Sequence, residues 1–250
     1  MGDPQAWGRL VGEPLNTSPM FRALIRPEVF LGMPLLYLGA VMAGMRVMRT
    51  RKAVNLQTVM RVYNVVQVVL CLYMTVGLCP NTLNPFGVNS PFSASAEFVI
   101  FVHYLSKYLD WCDTLFIILR KRHTQLSLLH VYHHASISVV WGFLLYTGNG
   151  SGTATYGAWI NSYTHALTYV HYLVASCGWR NPWKKLVTTW QITQFWSCLT
   201  HAGLVLCFEQ VYPARLAWLQ VFYQITMVYL FTFRLRYVPS CVPDYLDDHR

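Results

Sequence analysis

Residues Gln125–Tyr146 have the sequence QLSLLHVYHHASISVVWGFLLY, an apolar run long enough to cross a membrane that nevertheless contains three histidines. His130, His133 and His134 are spaced by three residues and one, so on a helix the three imidazoles share one face. Titratable side chains are costly in lipid and normally serve a function there. The stretch therefore predicts a membrane helix with a functional polar face.

Composition indicates that the whole chain is embedded in a membrane. Hydrophobic residues make up 54% of the 250 residues and charged residues 12%, whereas a soluble domain has about 25% charged residues. The mean hydropathy is +0.33. Seven apolar runs approach or exceed the length that crosses a bilayer: Glu28–Met48, Thr58–Cys79, Ala96–Leu119, Leu126–Tyr146, Thr153–Cys177, Leu186–Cys207 and Leu216–Leu235. We therefore expect an all-α, polytopic membrane protein with seven transmembrane helices.

The basic residues are concentrated in alternate loops. They are Arg46, Arg49, Arg51, Lys52 and Arg61 around the first loop, Arg120, Lys121 and Arg122 in the third, Arg180, Lys184 and Lys185 in the fifth, and Arg234 and Arg236 after the last run. By the positive-inside rule these loops and the C-terminus are cytosolic, and the N-terminus lies on the other side. We divide the chain into an N-terminal segment (residues 1–27), a transmembrane domain (28–237) and a short C-terminal tail (238–250).

Four of the runs carry a polar stripe at the spacing of a helix face. Besides the histidines of the fourth run, the stripes are His103, Lys107, Asp110, Asp113 and Thr114 in the third run, Asn161, His165, Tyr169 and Tyr172 in the fifth, and Thr188, Gln191, Gln194 and His201 in the sixth. Turned inward, they would enclose one substrate chamber, for catalysis or for transport. A simpler interpretation is also open, in which Lys107 pairs with Asp110 or Asp113 and the glutamines join helices. The first, second and seventh runs are expected to be scaffold.

Four sequence boxes resemble those of the very-long-chain fatty acid elongase (ELO) family. They are Lys107–Thr114 (KxxExxDT in the family), Gln125–His134 (QxxFLHxYHH), Asn161–Tyr172 (NxxxHxxMYxYY) and Thr188–Phe195 (TxxQxxQF). The departures from these boxes are Asp110 for Glu, Leu128 for Phe, Thr168 for Met and His171 for Tyr. The order and spacing of all four boxes make the resemblance specific.

The resemblance implies a seven-helix bundle of the endoplasmic reticulum, with a lumenal N-terminus and a cytosolic C-terminus. It implies a condensing enzyme that joins a long-chain acyl-CoA to malonyl-CoA, giving a 3-oxoacyl-CoA two carbons longer, CO2 and CoA. No metal or further cofactor and no nucleic acid is expected. Partners would be membrane lipid, further copies of the chain and other enzymes of the elongation cycle. The form HVYHH is closer to elongases of polyunsaturated C18–C20 chains.

The resemblance also implies which histidines carry the chemistry. His133 matches the acyl carrier, and a neutral imidazole can attack a thioester to give an acyl-imidazole. His130 and His134 are expected to orient His133 or to transfer protons. His165 is expected to polarise a thioester or enolate oxygen.

The remaining polar residues are given supporting roles. Asp110 and Asp113 are expected to hold histidine tautomers through hydrogen bonds, with Lys107 offsetting their charge. Donors to an oxyanion or to substrate are expected from Asn161, Tyr169, Tyr172, Thr188, Gln191 and Gln194. A collar for the CoA phosphates, which would also determine topology, is expected from Arg120, Lys121, Arg122, Lys184 and Lys185. Chain length would be limited at the closed end by Trp141, Phe143 or Trp196.

Two other classes of protein remain open at this stage. A membrane di-iron desaturase or hydroxylase also uses HxxHH, but it needs about eight histidines in several boxes, and this chain has one HxxHH among nine histidines. Seven spans also describe a receptor or a transporter. A receptor has no need for three clustered histidines. A transporter is likewise open, but no inverted repeat of broken helices is visible.

Overall fold

The computed structural model describes residues 15–80, 93–179, 182–209 and 212–237, with side chains as far as residue 233. Several predicted features lie outside these described residues: most of the N-terminal segment, the middle of the second loop, Arg180, the side chains of Arg234 and Arg236, and the C-terminal tail. Throughout the described ranges, the regular secondary structure is helical. The expectation of an all-α protein is confirmed.

The helices follow the apolar runs closely. They are α1 (Pro19–Arg22), α2 (Pro27–Met48), α3 (Gln57–Leu78), α4 (Ala94–Leu109), α5 (Trp111–Leu119), α6 (Leu128–Tyr146), α7 (Ala154–Ser176), α8 (Lys184–Phe208) and α9 (Ala214–Tyr237), with a 3-10 turn at His123–Gln125. Every predicted run lies on helix, because each combines about 20 helix-compatible apolar residues with capping or turn residues at its ends.

The third run is the exception, since it is two helices rather than one. The chain tightens at Asp110, where the N–H of Asp113 donates to the carbonyl of Asp110 at 3.1 Å instead of to a residue four positions back. This separates α4 from α5. The side chain of Asp110 is buried at the break and takes hydrogen bonds from three other helical positions, described below, which fix the bend in place.

Local sequence determines where the helices begin and end. Ser127 caps α6 by accepting the N–H of His130 at 3.2 Å. α6 and α7 stop at Gly148 and Gly178, whose φ angles are 74° and 78°, a backbone conformation that glycine adopts without steric cost. α5 stops in the same way at Lys121, with φ of 57°, where a side chain costs about 1–2 kcal/mol. The basic third loop therefore begins at a sharply defined point.

α4 and α5 lie inside the helix bundle. α2, α3, α6 and α7 pack against them. α8 packs on α7, α9 packs on α6, and α8 and α9 pack against each other. The loops after α2, α5 and α7 meet at one end, which we call the basic end; there Arg61 Nε donates to the carbonyl of Ser176 at 2.9 Å. The loops after α6 and α8 meet at the far end, where the Thr153 hydroxyl donates to Glu209.

Among the described residues, four helical segments are long and apolar enough to cross a membrane. They are Pro19–Met48, Gln57–Leu78, Leu128–Tyr146 and Ala214–Phe233. The predicted third, fifth and sixth spans fall outside this set for a physical reason. The break at Asp110 leaves α4 with 16 residues and α5 with nine, and the polar stripes lower the hydropathy of α7 and α8. Several helices that could cross a membrane are thus present, and the polar helices pack beside them.

Candidate active site

The three histidines of α6 lie together in its first two turns, next to the basic end. The ring centroids of His130 and His134 are 4.2 Å apart, and those of His133 and His134 are 5.6 Å apart. All three side chains are half-buried. The imidazoles therefore form one cluster that a bound molecule can reach.

His130 is held through α5 and α2. Its Nε2 lies 2.8 Å from the hydroxyl of Thr114, which in turn lies 2.9 Å from the phenol oxygen of Tyr37. The ring of Tyr37 stacks on Trp111 with centroids 4.8 Å apart, and Trp111 Nε1 donates to the carbonyl of His134 at 2.9 Å. One side of the cluster is thus fixed to both α5 and α2.

His133 is held through α9. Its Nδ1 lies 3.1 Å from the phenol oxygen of Tyr223, and the hydroxyl of Ser136, one turn further along α6, lies 3.3 Å from the same oxygen. The rings of Tyr132 and Tyr223 stack with centroids 6.3 Å apart. The middle histidine is therefore tied to a helix that was expected to be scaffold.

Asp110 is the centre of a second polar network. Its Oδ1 accepts from Gln67 Nε2 at 2.8 Å and from the Tyr169 hydroxyl at 3.2 Å, and its Oδ2 lies 3.4 Å from Lys107 Nζ. Tyr169 also lies 2.7 Å from Asp113 Oδ2. The predicted pairing of Lys107 with Asp110 is confirmed, and Asp113 takes a tyrosine instead.

The stripe on α7 faces this network. Asn161 Oδ1 accepts from Lys107 Nζ at 3.0 Å. The ring centroid of His165 is 5.9 Å from that of Tyr169, which packs edge-on against Tyr172 at 6.0 Å. The predicted site residues of α4, α5 and α7 are therefore brought together.

The two networks face a common space. His165 and Lys107 are both within electrostatic range of His133, as is Asp110. The stripes of α4, α6 and α7 consequently converge in the way the sequence predicts. Within the described ranges, no group of three or more His, Cys, Asp or Glu side chains is arranged to hold a metal ion.

Among the described residues, the carboxylates do not hold the histidines in the expected way. Asp110 and Asp113 form hydrogen bonds with Gln67, Lys107 and Tyr169 instead. Hydroxyl groups contact the histidine rings instead: Thr114 for His130, Tyr223 for His133, and Ser162 for His103 at 3.1 Å. A neutral hydroxyl costs less to bury than a carboxylate and can accept or donate, which suits a neutral imidazole.

The predicted residues of α8 contribute less directly. Thr188 donates to the carbonyl of Lys184 in its own helix at 3.1 Å. Gln191 Nε2 donates to the hydroxyl of Thr168 on α7 at 3.3 Å, which is the helix-joining role left open above. Gln194 is buried, with 5% of its surface exposed. The donor groups of Thr188 and Gln191 are therefore used in hydrogen bonds within and between helices.

The predicted collar lies at the basic end. Arg120 and Arg122 follow α5 and are half-buried, Lys184 begins α8 and is half-buried, and Lys185 is exposed. The histidine cluster starts two residues into α6, so these cations and the imidazoles occupy the same end of the bundle.

A narrow cavity of about 40 Å³ opens between α6, α7, α8 and α9 towards the far end. Val140, Trp141 and Leu144 line it from α6, and His201 lines it from α8. Val140, Trp141 and Leu144 follow His133 by seven, eight and eleven residues, so all of them share its helix face. At 1.5 Å per residue, the cavity wall begins about 10 Å from His133.

The cavity also tests which large residues bound it. Trp141 lines the wall as predicted, and Phe143 packs against the core of the bundle instead. Trp196 is 53% exposed and faces outward. The prediction for Trp196 is therefore wrong, because position 196 falls between the inward-facing residues 194 and 198 of α8.

Sequence reasoning missed one side chain on each supposed scaffold helix. Tyr37 of α2 contacts Thr114, Gln67 of α3 contacts Asp110, and Tyr223 of α9 contacts His133. Tyr37 is a lone amphipathic residue in its run, and Gln67 and Tyr223 have too few polar neighbours to form a stripe, so each is a weaker signal than a stripe. Gln67 was the most readable, since an amide in lipid needs a partner.

Comparisons with known proteins identify the family of this chain. Residues 23–238 match the model of the ELO family, described as the GNS1/SUR4 family. The chain is 42% identical over 214 residues to Fatty acid elongase 5 of Trypanosoma cruzi, covering 85% of each chain. It is 41% identical over 220 residues to Fatty acid elongase 5 of Leishmania major, covering 88% of each. It is 32% identical over 209 residues to Very long chain fatty acid elongase 5 of Bos taurus, covering 79% of this chain and 70% of the relative. The chain therefore belongs to the ELO family.

Proposed function

We propose that this chain is the condensing enzyme of fatty acid elongation, joining a long-chain acyl-CoA to malonyl-CoA to give a 3-oxoacyl-CoA two carbons longer. The family and the names of the relatives support this activity over a desaturase, a receptor or a transporter. The structural observation that supports assigning this activity to particular residues is the position of His133, a half-buried imidazole between basic loops and an apolar cavity. An acyl-CoA has the same order of polarity, with phosphates at one end and hydrocarbon at the other.

The first half of the reaction is assigned to His133. Its Nε2 lone pair attacks the thioester carbonyl, the carbon–sulfur bond breaks, and CoA leaves as a thiolate that takes up a proton. The product is an acyl group on the imidazole, a covalent intermediate that divides one hard step into two. The ring centroid of His134 lies 4.2 Å from that of His130 and 5.6 Å from that of His133, which suits proton transfer in this half.

The second half is assigned to the network across the chamber. Malonyl-CoA loses CO2 to give an enolate, whose carbon attacks the acyl carbonyl while the electron pair of the carbon–nitrogen bond returns to Nε2. His165 is the donor on α7 that would stabilise the developing oxyanion. Lys107, Asn161, Asp110 and Asp113 would keep that face of the chamber rigid and polar.

The substrate-binding assignments follow the two ends of the site. Arg120, Arg122, Lys184 and Lys185 would bind the CoA phosphates, and Tyr169, Tyr172, Thr188, Gln191 and Gln194 would line the path of the pantetheine arm. The acyl tail would enter the cavity beside Trp141, which at about 40 Å³ has to widen to take a long chain. The sequence feature that bears on the choice of acyl chain is the HVYHH form, so polyunsaturated acyl-CoAs belong among the first substrates tried.

We further propose that residues 28–237 form one domain with seven spans in the endoplasmic reticulum, with a lumenal N-terminus and a cytosolic C-terminus. The placement of basic loops at one end of the bundle supports this orientation. Membrane lipid, a second copy of the chain and other enzymes of the elongation cycle are its proposed partners, and the two CoA substrates need no further cofactor.

The test is an assay of membranes containing the full chain, with acyl-CoAs of several lengths and labelled malonyl-CoA. We expect labelled 3-oxoacyl-CoA from the wild type and none above background from His133→Ala. His123→Ala is the matched control, because His123 is an exposed histidine in the loop after α5. Absence of product from the wild type with every acyl-CoA would refute the function, and an active His133→Ala would refute the acyl-histidine step alone.

A further inference from the structure

Gly157 is a glycine in the second turn of α7, at a point where the backbone does not require one. Its φ angle lies outside the left-handed region that favours glycine, so the helix would accept a side chain here. Glycine also weakens a helix relative to alanine. The reason for a glycine at this position therefore lies beside the helix, where Gly157 lines the cavity between α6, α7, α8 and α9.

Close packing of helices does not explain this glycine. At Gly142 of α6, a Cβ would lie 2.4 Å from the Cβ of Phe30, so the glycine there lets α6 approach α2. At Gly157, a Cβ would lie 3.9 Å from Cη2 of Trp141, an ordinary van der Waals distance, and among the described residues no atom of another element is as close. Gly157 thus faces open space that ends at the tip of the Trp141 ring.

Trp141 is held in place by its other contacts. It is 7% exposed and packs in the main core of the bundle. Its ring meets that of His103 edge-on, with centroids 4.8 Å apart, and His103 Nδ1 lies 3.1 Å from the hydroxyl of Ser162. A large side chain at position 157 could not push the indole aside without disturbing these contacts. The gap between Trp141 and Gly157 therefore sets the width of the cavity at this level.

This level lies at a defined depth from the proposed acyl carrier. Trp141 follows His133 by eight residues, which at 1.5 Å per residue places it about 12 Å further along α6. Ala202 of α8 and Ala217 of α9 also line the cavity. An acyl chain on His133 that is long enough to reach this level has to enter the space beside Trp141 and Gly157, whereas a shorter chain ends before it.

We propose that Gly157 is a specificity-determining residue, because the absence of a side chain at this position leaves room beside Trp141 for long acyl chains to extend past it. This inference rests on the proposed condensing function and names the residue that admits long chains. The cavity of about 40 Å³ has to widen around such a chain, and a side chain at position 157 would oppose the widening.

Valine is the most informative side chain to introduce at this position. It is branched at Cβ and takes mainly one rotamer in a helix, so it cannot swing out of the cavity. Its Cα–Cβ bond would lean towards the N-terminus of α7, which lies at the far end of the bundle. Gly157→Val therefore places rigid carbon atoms in the part of the cavity that a long acyl tail would occupy.

The experiment is a competition between acyl-CoAs on membranes containing the full chain. A series of saturated acyl-CoAs that differ by two carbons is mixed with labelled malonyl-CoA, and the ratio of long to short 3-oxoacyl-CoA products is measured. We expect this ratio to fall at least about 10-fold in Gly157→Val, since one misplaced methylene in an apolar pocket changes discrimination about 10- to 200-fold. Gly157→Ala should shift the ratio less, in the same direction.

Gly203→Val on α8 is the matched control. It is the same substitution inside a neighbouring helix, and among the described residues no atom of another element lies within 4 Å of a Cβ at this position. Gly203 does not line the cavity. The ratio of products should therefore stay at the wild-type value, and an equal shift in Gly203→Val and Gly157→Val would overturn the inference.

A double variant tests whether Trp141 is the opposite wall. Trp141→Phe makes room across the cavity, so Gly157→Val should lower the ratio less in Trp141→Phe than in the wild type. Equal effects of Gly157→Val in the two backgrounds would overturn the pairing of these residues and with it the inference.

The remaining outcomes separate this inference from the function on which it rests. A wild-type protein that makes no 3-oxoacyl-CoA from any chain overturns the proposed function. An active wild type with an unchanged ratio in Gly157→Val overturns the role of Gly157 alone, as does a loss of product that is equal at every chain length. If Gly157→Val does not accumulate in membranes, Gly157→Ala decides, and a wild-type ratio in that variant overturns the inference.

Discussion

Removal of Gln67 should destabilise the protein more than removal of its buried neighbour Asn64, three residues away on the same helix. Gln67 is 1% exposed and its Nε2 lies 2.8 Å from Asp110 Oδ1, 2.8 Å from the Tyr63 hydroxyl and 3.1 Å from the Tyr169 hydroxyl. A hydrogen bond to a charged group contributes about 1.5–3 kcal/mol. Asp110 keeps Tyr169 and Lys107 in Gln67→Leu, so the loss should stay within that range.

Asn64 makes the comparison decisive. It is 2% exposed, and its Nδ2 has no hydrogen-bond partner among the described residues. Asn64→Leu removes a buried unsatisfied group and should leave stability unchanged or raise it. In detergent-solubilised protein, followed by the loss of monodisperse protein on heating, we expect Gln67→Leu to melt about 3–12 °C lower. Equal melting of Gln67→Leu and wild type, or a larger loss in Asn64→Leu, would refute the assigned network.

Three further changes have defined outcomes. Tyr37→Phe removes the hydroxyl 2.9 Å from Thr114 and should cost about 0.5–1.5 kcal/mol in the same melting assay. Trp141→Phe enlarges the cavity and should shift product formation towards longer acyl-CoAs. Trp196→Phe changes an outward-facing residue and should cause no shift. An equal shift in both variants would contradict the cavity assignment. Burial raises the pKa of Glu209, although hydrogen bonds from Thr153 and from the Tyr212 backbone act to lower it. The folded state therefore binds this proton more tightly than the unfolded state does. The stabilisation of the folded state by protonated Glu209 is lost as pH rises through the raised pKa, so Glu209→Gln should flatten the pH dependence of the melting temperature.

The helices and the convergence of the stripes could be predicted from the sequence because periodicity is a local property. Residues three or four apart share a helix face wherever the helix lies, so His130, His133 and His134 had to cluster. Lys107 and Asp110 had to be within reach of each other for the same reason. The break between α4 and α5 could not be predicted, because Asp110 is a plausible residue for the interior of a helix. Its carboxylate accepts hydrogen bonds from α3 and α7, and these contacts depend on packing.

Partners between helices could not be predicted, since they depend on packing. Nothing in the seventh run indicates that Tyr223 meets His133 rather than lipid. Likewise, nothing in the third run indicates that Asp113 meets Tyr169 and not a histidine. The sequence favoured charged partners for the imidazoles because carboxylates are the familiar ones. In a membrane, a neutral hydroxyl gives a similar contact at a lower desolvation cost, which explains why the expected partners were wrong.

His103 shows that a hydroxyl group in contact with Nδ1, which His133 also has, does not by itself make a histidine a nucleophile. The hydroxyl of Ser162 donates to the carbonyl of Ala158 at 2.8 Å, so its 3.1 Å contact with His103 Nδ1 must use a hydrogen on that nitrogen. His103 thus carries its hydrogen on Nδ1 and has a lone pair on Nε2. That Nε2 is fully buried, without a hydrogen-bond partner among the described residues, and the ring packs edge-on against Trp141. Access distinguishes the two imidazoles: His103 is 0% exposed, while His133 is half-buried beside the chamber, and of the two only His133 can meet a thioester.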